Sequence, residues 1–404
     1  MSRSCRILLA FVLAMAAGAP RAEARDPLTL IRDAEIEHII RTYATPLFRT
    51  AGLDPAAIKV YLVQDKGINA FVAGGMNLFI NTGLILAATN ANQLVGVIAH
   101  ETGHIAGGHI VRTREAVSQA RGAALLATIL GAAVIVAGGG SAGTGVVLGG
   151  TGVAERLLYS FSRSQENAAD HAALGYLDAT GQSARGLLEF FEVMARQELY
   201  SASRQDPYLS THPLSRERIA QVRAHVERSP YADAPEPDGY DAMFSRMIAK
   251  LAGYLEKPET LRRRYPDSDR SFDARYARAI GLYRRPDVDG ALAMIDELLG
   301  ERPDDPFVHE LRGQVLLESG RLAEALPSYE RSVALEPDEP LLRVGLAQTL
   351  VALATPEAGA RAIEELRIAL RTDPDNAGAW RLMGAAHSLA GDEPMAALAT
   401  AESA

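Results

Sequence analysis

Two imidazoles and a carboxylate stand close together in Val97-Ile98-Ala99-His100-Glu101-Thr102-Gly103-His104, in the spacing H-E-x-x-H. On a helix, residues four apart share a face, about 6 Å apart along the axis. His100 and His104 can therefore turn both rings toward one metal ion. Glu101 falls about 100° round the helix. There it can reach a water on that metal but is poorly placed to be a third ligand. Two nitrogen ligands beside one carboxylate base are what zinc-dependent peptide hydrolysis needs. Leu94, Val95, Val97 and Ile98 make the preceding turns apolar, as in a buried helix.

A third ligand has to come from elsewhere. One zinc-peptidase pattern continues as H-E-x-x-H-x-x-G-x-x-H. Gly107 fits it, but the last position is Ile110. His109 is one residue off, so continuing the helix puts it on the surface or in packing. Downstream, Glu166-Asn167-Ala168-Ala169-Asp170 places two carboxylates four apart on one helical face. Glu166 can complete a His2Glu set that leaves one position for water. Asp170 can accept the spare ring N–H of a ligand histidine and fix its tautomer. Ala168 and Ala169 permit a close helix approach. His212 precedes Pro213 in a polar loop, so its backbone is extended. Ser215 reads as the cap of the next helix.

The elements that position these residues can be read along the chain. Residues 27–51 carry Ile31, Ile36, Ile39, Ile40 and Tyr43 at helical spacing up to Gly52. Residues 58–63 alternate as a strand. Residues 68–72 and 77–81 flank Gly74-Gly75 as a hairpin, whose edge could bind a substrate backbone or be plain scaffold. A short helix is expected over 83–89. One continuous helix is expected over 92–121, carrying the metal motif. Residues 122–154 hold no charge, but Gly138-Gly139-Gly140 breaks them, and a membrane span needs about 20 apolar residues. They read as two apolar helices, buried in the domain or forming a lid, with peripheral membrane contact as the alternative.

The N-terminus has Arg3 and Arg6, an apolar run over 7–17 and Ala22-Glu23-Ala24, the pattern of a cleavable export signal. The sole cysteine, Cys5, lies inside it, so the mature chain has no disulfide to form. A net charge of −9 argues against nucleic acid as a partner. These features point to a bacterial periplasm.

Beyond the proline-rich stretch at 230–239 the character changes. Pro303 and Pro337 recur at a spacing of 34, and Pro374 follows at 37. An alanine precedes each proline by twelve residues: Ala291, Ala325 and Ala362. Gly313, Gly320, Trp380 and Gly384 fall where helix-turn-helix repeats of this period want small or anchoring residues. This is the tetratricopeptide pattern, an all-α solenoid with a concave, protein-binding face. The divisions read from the sequence are a signal at 1–24, a catalytic domain at 25–230, a linker and connecting helix at 231–271, and repeats at 272–404. The catalytic part is expected to fold without the repeats.

Together His100-Glu101-x-x-His104, Glu166-x-x-x-Asp170, Ser210-Thr211-His212-Pro213 with Arg218-Ile219, and Asn69-Ala70-Phe71 resemble the zinc metallopeptidases of the HtpX and CAAX-prenyl-protease superfamily. The likeness is strongest to its periplasmic, repeat-bearing branch, the β-barrel assembly-enhancing proteases. It implies an α+β fold: a mainly helical, zincin-type domain with a small β-sheet, then the solenoid. It implies one zinc ion on His100, His104 and Glu166, with Glu101 as base and Asp170 in the active-site set. It brings His212 to the metal, as an inhibitory fourth ligand or as a donor to the oxyanion, a part Arg218 could share. The substrates it implies are unfolded or misassembled proteins, with outer-membrane assembly machinery as a possible partner of the repeats. Two alternatives stand beside this reading: a chaperone or adaptor whose peptidase is held silent, and a membrane-associated quality-control protease.

Overall fold

The structure is a computed structural model that describes residues 28–136, 161–200 and 212–403. The expected export signal, the second arm of the glycine-broken stretch, and Ser210 and Thr211 lie outside the described residues.

The chain opens with β1 (Leu30–Ile31), which pairs antiparallel with β2 (Lys59–Val63). Helix α1 (Ala34–Thr50) therefore starts later than the apolar spacing predicts. Asp33 caps it, its side chain accepting from the Ile36 amide. Strands β3 (Ala70–Ala73) and β4 (Asn77–Asn81) form the expected antiparallel hairpin, and β4 runs parallel to β2. The sheet order β1-β2-β4-β3 leaves β3 at an edge. Helix α2 (Thr82–Ala87) leads into α3 (Ala91–Ala106), which carries the metal motif. Leu94, Val95, Val97, Ile98 and Ala99 are fully buried, so α3 is covered on all sides, by α1, β3 and the later helices.

The single long helix expected over 92–121 is two helices. α3 ends at Ala106, and α4 (His109–Val136) starts after Gly107 and Gly108. Burial of the neutral stretch is not observed in its described part: Leu125, Leu126, Ile129 and Leu130 are 55–62 % exposed. The core is already closed by the sheet, α1, α3 and the helices that follow, and among the described residues no α4 side chain joins it. No helix of the described residues is long and apolar enough to cross a membrane. A helix α5 is described over 161–179, followed by α6 (Arg185–Tyr200) and α7 (Arg216–Val226).

The connecting region contains α8 (Tyr240–Leu255) and α9 (Pro258–Arg264). α8 is more than a linker. Tyr240, Phe244, Met247, Ile248 and Leu251 pack into the catalytic core, while Ala249 and Ala252 belong to the solenoid core. The solenoid stacks four helix pairs: α10 (Phe272–Tyr283) with α11 (Val288–Glu301), α12 (Pro306–Glu318) with α13 (Leu322–Leu335), α14 (Pro340–Ala352) with α15 (Pro356–Thr372), and α16 (Ala377–Leu389) with α17 (Glu393–Glu402). Gly313 lies under the Tyr329 ring, where a Cβ would come within 2.7 Å.

A buried ionic cluster joins the two parts. Glu35 of α1 takes Arg246 Nε at 2.8 Å, Lys250 Nζ at 3.3 Å and the Tyr276 hydroxyl at 2.8 Å. Arg246 also pairs with Asp305 at 2.7 Å, and Lys250 with Asp33 at 3.0 Å and Glu310 at 3.3 Å. Such a cluster adds little net stability over an apolar core, but losing one member is costly.

Candidate metal centre

Helix α3 directs both histidines to one point. His100 and His104 stand edge to face, with their Nε2 atoms 3.1 Å apart. Helix α5 lies against them so closely that a Cβ on Gly103 would fall 2.7 Å from the Ala169 carbonyl oxygen. That contact brings in Glu166, with Oε2 3.3 Å from His100 Nε2 and Oε1 3.4 Å from His104 Nε2. The loop before α7 adds His212, whose Nδ1 is 3.3 Å from His100 Nε2 and 3.2 Å from Glu166 Oε2. All four residues are buried.

These separations test whether a metal fits. Zinc bonds of about 2.0–2.2 Å in a tetrahedron hold neighbouring donors about 3.3–3.6 Å apart. The separations of 3.1–3.4 Å lie at the short end of that cage, and the four donors stand within 4.8 Å of one another. The protonation pattern agrees. Burial pushes His100 down, but its bonds to Asp170 and Glu166 more than reverse this, to about 9. Burial prevails at His104 and holds it near 3. Burial also opposes ionisation of Glu166, but bonds to the three histidines hold it well below the usual carboxylate range. A cluster of lone pairs that draws in a proton is a cluster that favours a cation. The residues therefore fit a metal ion, and the donor set of three nitrogens and a carboxylate is of the kind zinc takes.

Glu101 sits beside the cluster, fully buried, with its Oε1 3.4 Å from His212 Nε2. Among the described residues, no donor hydrogen-bonds either oxygen. Burial raises its pKa, with the neighbouring imidazoles partly opposing.

Asp170 lies beside the first histidine, its Oδ1 2.8 Å from His100 Nδ1. Arg218 is engaged differently from a donor to substrate. Its Nε and Nη2 donate to the two Asp170 oxygens at 2.6 and 2.8 Å. Its Nη1 meets Glu166 at 3.0 Å and the Pro213 carbonyl at 2.9 Å. The guanidinium also lies over the Phe191 ring, 4.9 Å from its centre. The Ser215 cap, accepting from the Arg218 amide at 3.2 Å, starts α7 so that this side chain points inward. Arg218 is thus a counter-ion to both carboxylates of the site. His109 is the other surprise. It is buried, with Nδ1 3.0 Å from His104 Nδ1. The signal that could have found it is Gly107-Gly108, which breaks the helix the wheel had continued.

Peptidase family M48 matches residues 31–226, and a tetratricopeptide repeat matches residues 309–358. A β-barrel assembly-enhancing protease from Yersinia pestis is 27% identical over 379 residues, spanning 92% of this chain and 76% of that protein. The β-barrel assembly-enhancing protease of Escherichia coli (strain K12) is 24% identical over 382 residues, spanning 94% and 77%. Metalloprotease LoiP of the same organism is 31% identical over 192 residues, spanning 46% of this chain and 68% of that protein.

Proposed function

This chain belongs to peptidase family M48 and is a metalloprotease with tetratricopeptide repeats, and from that premise we propose that it is a zinc endopeptidase of the bacterial periplasm acting on misfolded or stalled outer-membrane proteins. The names of the relatives from Yersinia pestis and Escherichia coli support the substrate class. The N-terminal export pattern supports the compartment. The repeats would recruit the substrate or its assembly machinery.

His100, His104 and Glu166 are assigned as ligands of one zinc ion. A bound zinc would lower the pKa of a water toward about 7 and polarise the scissile carbonyl. Glu101 takes the proton from that water and passes it to the leaving amine. Its buried setting strengthens it as a base, since burial disfavours the charged form. Asp170 holds His100 with Nε2 free to bind metal, and Arg218 keeps Asp170 and Glu166 ionised. The β3 edge offers backbone groups to an extended substrate.

The observation that carries this reading is the four-donor cluster with the Glu101 carboxylate beside it. A second observation favours a resting state: His212 Nδ1 stands among the donors, where a water would otherwise be. His212 is therefore assigned as a fourth ligand whose loop must move for turnover. The test of the whole is Glu101→Gln, with casein degradation and zinc content measured together. Proteolysis should vanish while zinc and fold are kept. Undiminished proteolysis would overturn the base assignment.

A further inference from the structure

We propose that His109 is a positioning residue of the metal site, accepting a hydrogen bond from His104 Nδ1 and so fixing the tautomer and ring plane of that ligand. The inference rests on the ligand assignment above. The two Nδ1 atoms are 3.0 Å apart, and the rings meet edge to face at 81°. His104 turns Nε2 toward His100 and Glu166, at 3.1 and 3.4 Å. A neutral imidazole carries one N–H, so with its lone pair on Nε2 the proton belongs on Nδ1. His109 Nδ1 must then accept, which puts the His109 proton on Nε2. The two ligand histidines of α3 therefore have partners of different charge: Asp170 for His100, a neutral ring for His104.

The backbone is shaped for this contact. A Cβ on Gly107 would lie 2.4 Å from His109 Nε2, so the ring occupies space that only glycine leaves there. Gly108 takes φ +61°, and the bend restarts the helix with His109 as its first residue. His109 is also tied to the ligand-bearing α5. Gln165, the neighbour of Glu166, donates from Nε2 to the His109 carbonyl at 3.1 Å. Thr113 Oγ1 donates to Gln165 Oε1 at 2.9 Å. One residue thus holds the orientation of His104 and the docking of the Glu166 helix. A merely packed histidine would not need an acceptor nitrogen at this point.

The experiment measures the zinc dissociation constant of the full chain by chelator competition, with the ligand-field spectrum of the cobalt-substituted protein as a second readout. Four variants are compared with wild type: His109→Leu, His109→Asn, Gly107→Ala and Glu166→Ala. Loss of the acceptor in His109→Leu should weaken zinc about 10–100-fold and shift the cobalt bands, as removal of a partner to a ligand histidine does. The Asn side-chain oxygen falls near the position of Nδ1, so His109→Asn should return affinity to within about threefold of wild type. Gly107→Ala displaces the intact ring and should repeat the loss, which keeps the proposal testable if the leucine variant does not fold. Zinc binding unchanged in His109→Leu, or lost equally in the Leu and Asn variants, overturns the inference while Glu166→Ala still weakens binding. If Glu166→Ala also binds like wild type, the ligand assignment itself has failed.

Discussion

Replacing Arg218 with methionine removes the central positive charge of the site without touching a candidate ligand. The guanidinium is buried against two carboxylates at 2.6–3.0 Å, and methionine keeps the contact with Phe191 while supplying no charge. Removing one partner of a buried ion pair costs about 3–5 kcal/mol. In a cooperative unit of this size each kcal/mol lowers the melting temperature by about 2–4 °C, so the metal-free variant should melt roughly 6–20 °C below wild type at pH 7. Saturating zinc returns a counter-ion to Glu166 and should shrink the gap to roughly half that. The pH dependence has a definite sign. Burial pushes Asp170 up, but Arg218 and His100 outweigh it and hold the carboxyl below its ordinary value. A carboxylate depressed in the folded state adds stability above its unfolded pKa of about 4, and loses it as pH falls through the folded value. Without Arg218 that depression is relieved, so the two proteins should converge as the pH of metal-free samples is lowered below about 4, toward the depressed folded value of Asp170. Thermal unfolding followed by circular dichroism, with chelator across pH and with zinc at pH 7, measures all three effects. A loss of melting temperature indifferent to both zinc and pH would refute the counter-ion role and leave a packing role.

His212→Ala separates its two possible roles by sign: a resting ligand predicts equal or faster peptide turnover and self-cleavage at saturating zinc, whereas an oxyanion donor predicts a fall in kcat of about 10²–10³. Gly103→Ala adds a Cβ 2.7 Å from the Ala169 carbonyl oxygen, forcing α3 and α5 apart. It should destabilise by about 1–3 kcal/mol in urea unfolding and weaken zinc in the same samples, and undiminished zinc affinity would show that the helix spacing does not set the ligand cage. Ending the chain at residue 271 removes Tyr276, Asp305 and Glu310 from the buried cluster and leaves Glu35, Arg246 and Lys250 short of partners. The truncated protein should melt well below the full chain, by the equivalent of about 3 kcal/mol or more; an unchanged catalytic-domain transition would show that the two parts are independent.

That last expectation adds a cost to the one drawn from sequence, in which the catalytic part folds without the repeats. The metal motif was legible because histidine is scarce and the helical period is local: four residues decide which rings converge. Glu166 was legible at one remove, since a second carboxylate four residues on and two alanines between them describe a helix face built to dock closely. The solenoid was legible through its 34-residue spacing. Where the chain bends, the same local reasoning failed. Continuing the helical wheel through Gly107 and Gly108 turned His109 away from a site that it touches.

Pairings across the chain carry no period at all. Glu35 lies more than two hundred residues of sequence from Arg246 and Lys250, and each of the three belongs to a residue type that usually lies on the surface. Nothing in their spacing distinguishes them from solvated charges. The sequence does place Arg246 and Lys250 four apart on one helix, together with Phe244, Met247, Ile248 and Leu251. Two cations among so many apolar residues leave α8 little exposed face, and cations on a covered helix require buried anions from another element. The position of α8 between two recognisable domains suggests a connector. Its composition instead describes a helix buried on both sides, shared by two cores and neutralised by both. A change in how the solenoid sits would therefore act on α8 and α1, and α1 packs directly against the helix that carries His100 and His104.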